Sequence, residues 1–213
     1  MTFGLRRTPV TAGILAIIGA MFLIEVSTGA LFDEKAIIAL GAIVPGTLEH
    51  HQYWRLVAAM FLHGGWLHIA FNSWAIVQLG ALYENMFGSG RFAFMYLATG
   101  LVASASSAMH VQGTSVGASG AIFGILGAFI FSIRRSPQWK HERWTKSLIR
   151  QLLFLAAVNI VIDLQIPFID NYAHIGGLVA GLVLGFLPHR VPPPPPGSQI
   201  IDVPPYDPGA PPS

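Results

Sequence analysis

The sequence contains no cysteine, so disulfides and thiolate metal sites are excluded. Charge is also scarce: charged types make up 10% of the 213 residues, whereas a soluble domain carries about 25%. Such a chain cannot cover a surface that faces water. The net charge of +2 is small, and no nucleic-acid partner is expected from it. Eight histidines are present, but there is no His-Glu-x-x-His and no carboxylate–histidine pair at helical ligand spacing. That argues against a zinc site. No repeated halves or paired broken helices suggest a transporter.

What the chain has in quantity is apolar. Hydrophobic types reach 53% and mean hydropathy is +0.59, which makes a bilayer the expected solvent. Six apolar segments stand out, at roughly 10–32, 67–85, 92–111, 117–134, 148–167 and 172–188. Each is close to or above the ~17 residues needed for a span. The first follows Arg6 and Arg7 as a signal peptide would, but no small-x-small cleavage site precedes a soluble domain, so it is expected to be retained. The connection 33–66 is amphipathic and rich in aromatics and histidine, a composition suited to the membrane interface.

The charges orient the spans. Arg6, Arg7, Arg91, Arg134, Arg135, Lys140, Arg143, Lys146, Arg150 and Arg190 all fall on one side if six spans alternate. Lys35 and Arg55 fall on the other, with Asp33, Glu34, Glu49, Asp163 and Asp170. The positive-inside rule then puts both termini in the cytoplasm. An all-α, six-span membrane bundle over 1–190 is the expected fold, followed by a Pro-rich disordered tail at 191–213.

Polar side chains at membrane depth are costly unless satisfied, so each one raises a functional question. His174 begins a stripe with Gly177, Gly181 and Gly185, at +3, +7 and +11 on one helix face. Such a stripe admits a neighbouring helix at close range. The segment "GASGAIFG" offers its own small pair, Gly120 and Gly124, which would bring Ser119 near His174. Ser119 is then either a helix cap or a nucleophile activated by imidazole. His174 is either that base or a structural hydrogen-bonding group. His68 and Asn72, at i and i+4, share a face and are candidate oxyanion donors together with the Ser119 amide. The alternative for that pair is an interhelical polar clamp. His63, just before them, is expected to make a structural hydrogen bond. Glu25 is expected to be a hydrogen-bonded or protonated structural carboxyl, and Glu84 an interfacial anchor beside Arg91.

Three ordered motifs resemble the rhomboid family of intramembrane serine proteases: "HGGWLHIAFN" on the second segment, "GASG" at the head of the fourth and "AHIGGLVAG" on the sixth. Tyr53, Trp54 and Arg55 resemble the family's Trp-Arg loop motif. The resemblance covers about residues 9–190. It implies a six-span fold, with Ser119 as nucleophile and His174 as general base in a dyad without an acidic third member. It also implies an oxyanion hole from Asn72, His68 and the Ser119 amide, with Gly117 keeping the approach open. The substrates implied are transmembrane proteins, cut in or near their membrane segment, with no cofactor. A bacterial inner membrane fits a short core without added domains. The family often has tyrosine four residues after the serine, where this chain has Phe123, so a hydroxyl contact to the base is lost. Two rivals remain. A non-proteolytic rhomboid-like binder would lack the serine or the histidine, and a small transporter would depend on Glu25.

Overall fold

A computed structural model describes residues 8–136, 149–150, 153 and 170–187. Nearly all of the fifth expected segment, much of the basic cluster before it and the Pro-rich tail lie outside the described residues. The described residues are helical apart from turns, loops and one isolated antiparallel bridge between Ile43 and Ser115.

Helix α1 runs Pro9–Thr28. Proline suits its first position because that N–H has no helical partner. Gly29, at φ 76°, ends it four residues from Glu25, earlier than the apolar run to residue 32 implied. One side of α1 buries Ile14, Ile18 and Phe22, while Ile17, Leu23, Ile24 and Val26 stay exposed. A helix apolar on all sides with half of them uncovered requires lipid around it. At 20 residues α1 is about 30 Å long, the thickness of a bilayer core. Pro9–Thr28 and Ser89–His110 are each long and apolar enough to cross one.

The connection after α1 folds into short pieces, α2 (Glu34–Leu40) and α3 (Trp54–Ala58). Arg55 holds them together. Its guanidinium is buried and donates to the carbonyls of Ile38 and Ala42 and to Gln52 Oε1. Next come α4 (Trp66–Ala75), a π turn (Ile76–Gly80) and α5 (Ala81–Phe87), a nearly continuous rod. The π turn was not apparent in the sequence. It falls where a Cβ on Gly80 would lie 2.9 Å from the Phe92 ring.

Helices α6 (Ser89–His110), α7 (Ser119–Arg135) and α8 (Asn171–Leu184) form the tightest part of the molecule. The glycine stripe explains why. A Cβ on Gly177 would overlap the carbonyl of Gly120, and one on Gly181 the carbonyl of Gly124. Backbone therefore rests on backbone along the α7–α8 contact. On the other side of α7, Gly124 accommodates Thr99 and Gly120 accommodates Ala103, both from α6.

Glu84 does more than the interfacial anchoring expected of it. It is buried and caps α1, accepting from the N–H groups of Val10 (3.0 Å) and Thr11 (2.8 Å) and from the hydroxyls of Thr11 (2.7 Å) and Ser89 (2.6 Å). Two of the orphan amides at the start of α1 are satisfied in this way.

Helical Gly→Ala gains about 1 kcal/mol of propensity, while forced overpacking costs about 1–3 kcal/mol. At Gly181 the obstacle is backbone that cannot rotate aside, so the cost wins. At Gly19 nothing lies within 4 Å of the added carbon. Gly181→Ala should lower the thermal midpoint of the detergent-solubilised protein, and Gly19→Ala should leave it unchanged or raise it. Equal shifts would contradict the packing described.

Candidate active site

The loop leading into α7 is fastened before Ser119 is reached. Ser115 exchanges two backbone hydrogen bonds with Ile43, at 2.9 and 3.0 Å. The Thr114 hydroxyl donates to Glu34 Oε1 (2.6 Å), and the Gly117 N–H donates to the Ala59 carbonyl (2.9 Å). Gly117 then adopts φ +128°, which side chains rarely tolerate. Ala118 occupies the cap position and Ser119 is the first residue of α7, so the serine is not the cap of its helix. The first intrahelical bond runs from the Ile122 N–H to the Ala118 carbonyl (3.0 Å). The amides of Ser119 and Gly120 precede it and have no partner within the helix.

His174 enters from α8. Asp170 caps that helix, its carboxylate accepting from the Ala173 N–H at 3.1 Å. The glycine contact along α7 and α8 brings His174 Nε2 to 2.7 Å from Ser119 Oγ. The Phe123 ring, one turn into α7, stacks on the imidazole with centroids 4.5 Å apart and planes 12° apart. His174 is buried, while Ser119 and Gly117 are partly accessible.

His68 closes the third side. A Cβ on Gly117 would lie 2.7 Å from His68 Nε2 and 3.7 Å from Ser119 Oγ, so these groups border one small space. The Gly64 N–H points to His68 Nδ1 at 3.4 Å. The buried Asn72 amide donates one hydrogen to the His68 carbonyl, one turn back on α4, at 3.0 Å. Asn72 makes no hydrogen bond to Ser119, and its second amide hydrogen is left for another acceptor.

His63 makes its structural hydrogen bond through the main chain. Its backbone N–H donates to Glu25 Oε1 (2.9 Å), but both ring nitrogens are buried without a hydrogen-bond partner among the described residues. Burial, with His68 alongside, pushes its imidazole down to about 3, so the ring is neutral. The Glu25–His63 link, 38 residues apart in the chain, carries no spacing that a sequence could display.

A sequence model described as the Rhomboid domain matches residues 50–191. Rhomboid protease GluP of Bacillus subtilis is 34% identical over 160 residues, covering 75% of this chain and 31% of that protein. RHOMBOID-like protein 6, mitochondrial, of Arabidopsis thaliana is 37% identical over 141 residues, covering 66% of this chain and 45% of that protein. Rhomboid-type serine protease 2 of Emericella nidulans is 35% identical over 143 residues, covering 66% and 28%. The aligned part of this chain thus spans between about a quarter and a half of the length of these relatives.

Because Gly117 combines a positive φ with a Cβ position occupied by the His68 ring, Gly117→Ala should displace that ring and lower the thermal midpoint. The backbone strain alone is about 1–3 kcal/mol. Gly113→Ala, with nothing within 4 Å, serves as the control and should leave the midpoint in place. An undisturbed midpoint in Gly117→Ala would show that the loop relaxes freely.

Proposed function

The chain belongs to the rhomboid family, and from that premise we propose that it is an intramembrane serine endopeptidase that cuts transmembrane proteins in or near their membrane segment. The observation that carries the reading is the 2.7 Å contact of His174 Nε2 with Ser119 Oγ, on two helices whose closest approach is glycine backbone. A serine hydroxyl is a weak nucleophile until a base takes its proton, and a hydrogen-bonded imidazole is suited to do so.

In this mechanism Ser119 Oγ attacks the scissile carbonyl carbon as its proton passes to His174 Nε2. The carbonyl oxygen becomes an oxyanion beside the Ser119 amide, His68 Nε2 and the free hydrogen of the Asn72 amide. Gly117 leaves room for it, since a side chain there would fill that space. Collapse expels the amine, which takes the proton from His174. Water then attacks the Ser119 ester, again giving its proton to His174, and on collapse Ser119 Oγ takes that proton back as the carboxylic product leaves. Phe123 holds the imidazole plane by stacking. No cofactor takes part.

The substrate's helix must open locally, because a helical carbonyl is shielded by its own hydrogen bonding. Helix-breaking or small residues near the cut site follow from that requirement. The length of α7 supports water access: 17 residues span about 25 Å. With Arg134 and Arg135 held at one interface, Ser119 lies somewhat below the other, in a bilayer core of about 30 Å.

The detergent-purified protein should form one adduct with a fluorophosphonate by intact mass, absent in Ser119→Ala and in His174→Ala. Asn72→Ala should keep the serine and its base but lower kcat on a transmembrane substrate about 10²- to 10³-fold, the size expected for one oxyanion donor. No adduct and no cleavage by folded protein in lipid would sink the protease reading and favour helix recognition without hydrolysis.

We also propose a six-span bundle with cytoplasmic termini, on the segregation of Lys and Arg to one side, and a bacterial inner membrane as its setting, on the likeness to a bacterial relative. Because the chain lacks cysteine, single cysteines report the orientation cleanly. Gly90, in the first turn of α6, and Gly113, just beyond its other end, are both exposed. In intact cells an impermeant maleimide should label Gly113→Cys and reach Gly90→Cys only after permeabilisation. The reverse pattern would invert the topology.

A further inference from the structure

The catalytic reading uses Ser119, His174, His68, Asn72 and Gly117, and leaves Glu25 unemployed. Glu25 is fully buried near the end of α1, at a depth where a carboxyl needs a reason. Its Oε1 accepts from the His63 N–H at 2.9 Å, while Oε2 has no hydrogen-bond partner among the described residues. The next amide in the chain, of Gly64, points to His68 Nδ1 at 3.4 Å. The His63 and His68 rings meet edge to face, with centroids 5.1 Å apart and planes at 66°. Two successive amides of one short loop are thus engaged from opposite sides, one by α1 and one by the imidazole that borders Ser119.

That arrangement has a chemical consequence. A neutral imidazole carries one proton, and the nitrogen that accepts cannot also donate. When the Gly64 N–H meets His68 Nδ1, the proton resides on Nε2, the nitrogen that faces the Gly117–Ser119 space. Only that tautomer offers an uncharged donor to an oxyanion there. Loop 62–65 contains two glycines, with Gly65 at φ +152°, and has little stiffness of its own. Its position therefore depends on what holds it, and among the described residues the side chains hydrogen-bonded to its amides are Glu25, at His63, and His68, at Gly64.

We propose that Glu25 is a positioning residue for the oxyanion side of the site: its carboxyl fixes the His63 peptide, which sets the Gly64 amide against His68 Nδ1 and so keeps the His68 proton on Nε2. The proposal rests on the protease reading above. Glu25 does not touch substrate and acts through His68. A plain structural tether between α1 and the loop would affect stability alone, so the test reads more than stability.

The experiment measures kcat and KM on one transmembrane substrate in lipid for wild type, Glu25→Gln, Glu25→Ala, His68→Ala and the double variant Glu25→Ala/His68→Ala, with the thermal midpoint of each. Glu25→Ala should lower kcat about 10- to 100-fold with KM within about twofold, the pattern of an interaction that matters in the transition state. Glu25→Gln, which keeps an acceptor oxygen, should recover most of the loss. In the His68→Ala background the Glu25→Ala step should nearly vanish, because both act through one ring. A Glu25→Ala loss that multiplies independently of His68→Ala, or one that Gln does not relieve, overturns the proposal.

A second measurement needs no variant at Glu25. With 15N-labelled histidine in bilayers, the signals lost in His68→Gln identify His68, and its Nδ1 should be the unprotonated nitrogen. A proton on Nδ1 overturns the proposal even if Glu25→Ala fails to fold. Failure of the premise looks different: wild type would then show no Ser119-dependent cleavage, and the positioning role would fall with it.

Discussion

The arrangement of the site depends on the contact between two helical backbones. Along α7 and α8 the carbonyls of Gly120 and Gly124 occupy the positions where side chains of Gly177 and Gly181 would stand. In lipid no hydrophobic force drives helices together, so close dispersion contact of bare backbone takes its place. The same contact sets chemistry as well as stability. Ser119 is one residue before Gly120 and His174 three before Gly177, so the depth at which the glycines mesh fixes the serine–histidine distance. A shift of one helix past the other by a fraction of a turn would separate a 2.7 Å pair beyond any proton transfer.

The opposite wall of the site is supplied by different means. His68 and Asn72 sit on α4, which has little direct contact with α8. Their placement relative to Ser119 comes through loops: Ile43 on Ser115, Ala59 on Gly117, and Glu25 on His63. Arg55 stiffens the first of these by binding the carbonyls of Ile38 and Ala42. Ser119 and His174 are thus aligned by packing, and His68 and Asn72 by hydrogen bonds to main chain. Burial makes those bonds count, since an amide left unsatisfied there costs roughly 1–3 kcal/mol.

Much of the first wall was legible in the sequence and much of the second was not. A glycine stripe at +3, +7 and +11 from His174 repeats with the helix, so it announces a face and a partner. Phe123, one turn from Ser119, was expected near the imidazole only through the resemblance to the family, which often has tyrosine there. Glu25 to His63, Glu84 to Val10 and Ile43 to Ser115 are single contacts between distant residues. Nothing periodic marks them. Glu84 carried an incomplete signal, because a carboxylate at a helix end beside an arginine reads as an interfacial anchor without naming the helix it caps. The π turn at Ile76–Gly80 was hidden for another reason: a π turn changes hydrogen-bond register without changing composition.

Phe123 shows how the packing compensates for a missing polar group. A tyrosine there could orient the imidazole through its hydroxyl, and this chain gives that up. What remains is a face-to-face contact at 4.5 Å and 12°, which restrains tilt of the imidazole plane but not rotation within it. The Ser119 hydrogen bond and the helix that carries His174 act against in-plane rotation. That helix begins only four residues earlier, where the Asp170 carboxylate holds the Ala173 amide. Fraying of the first turn of α8 would loosen the ring in the direction that Phe123 does not control. The cap at Asp170 accordingly belongs to the Ser119–His174 geometry as much as to the stability of its helix.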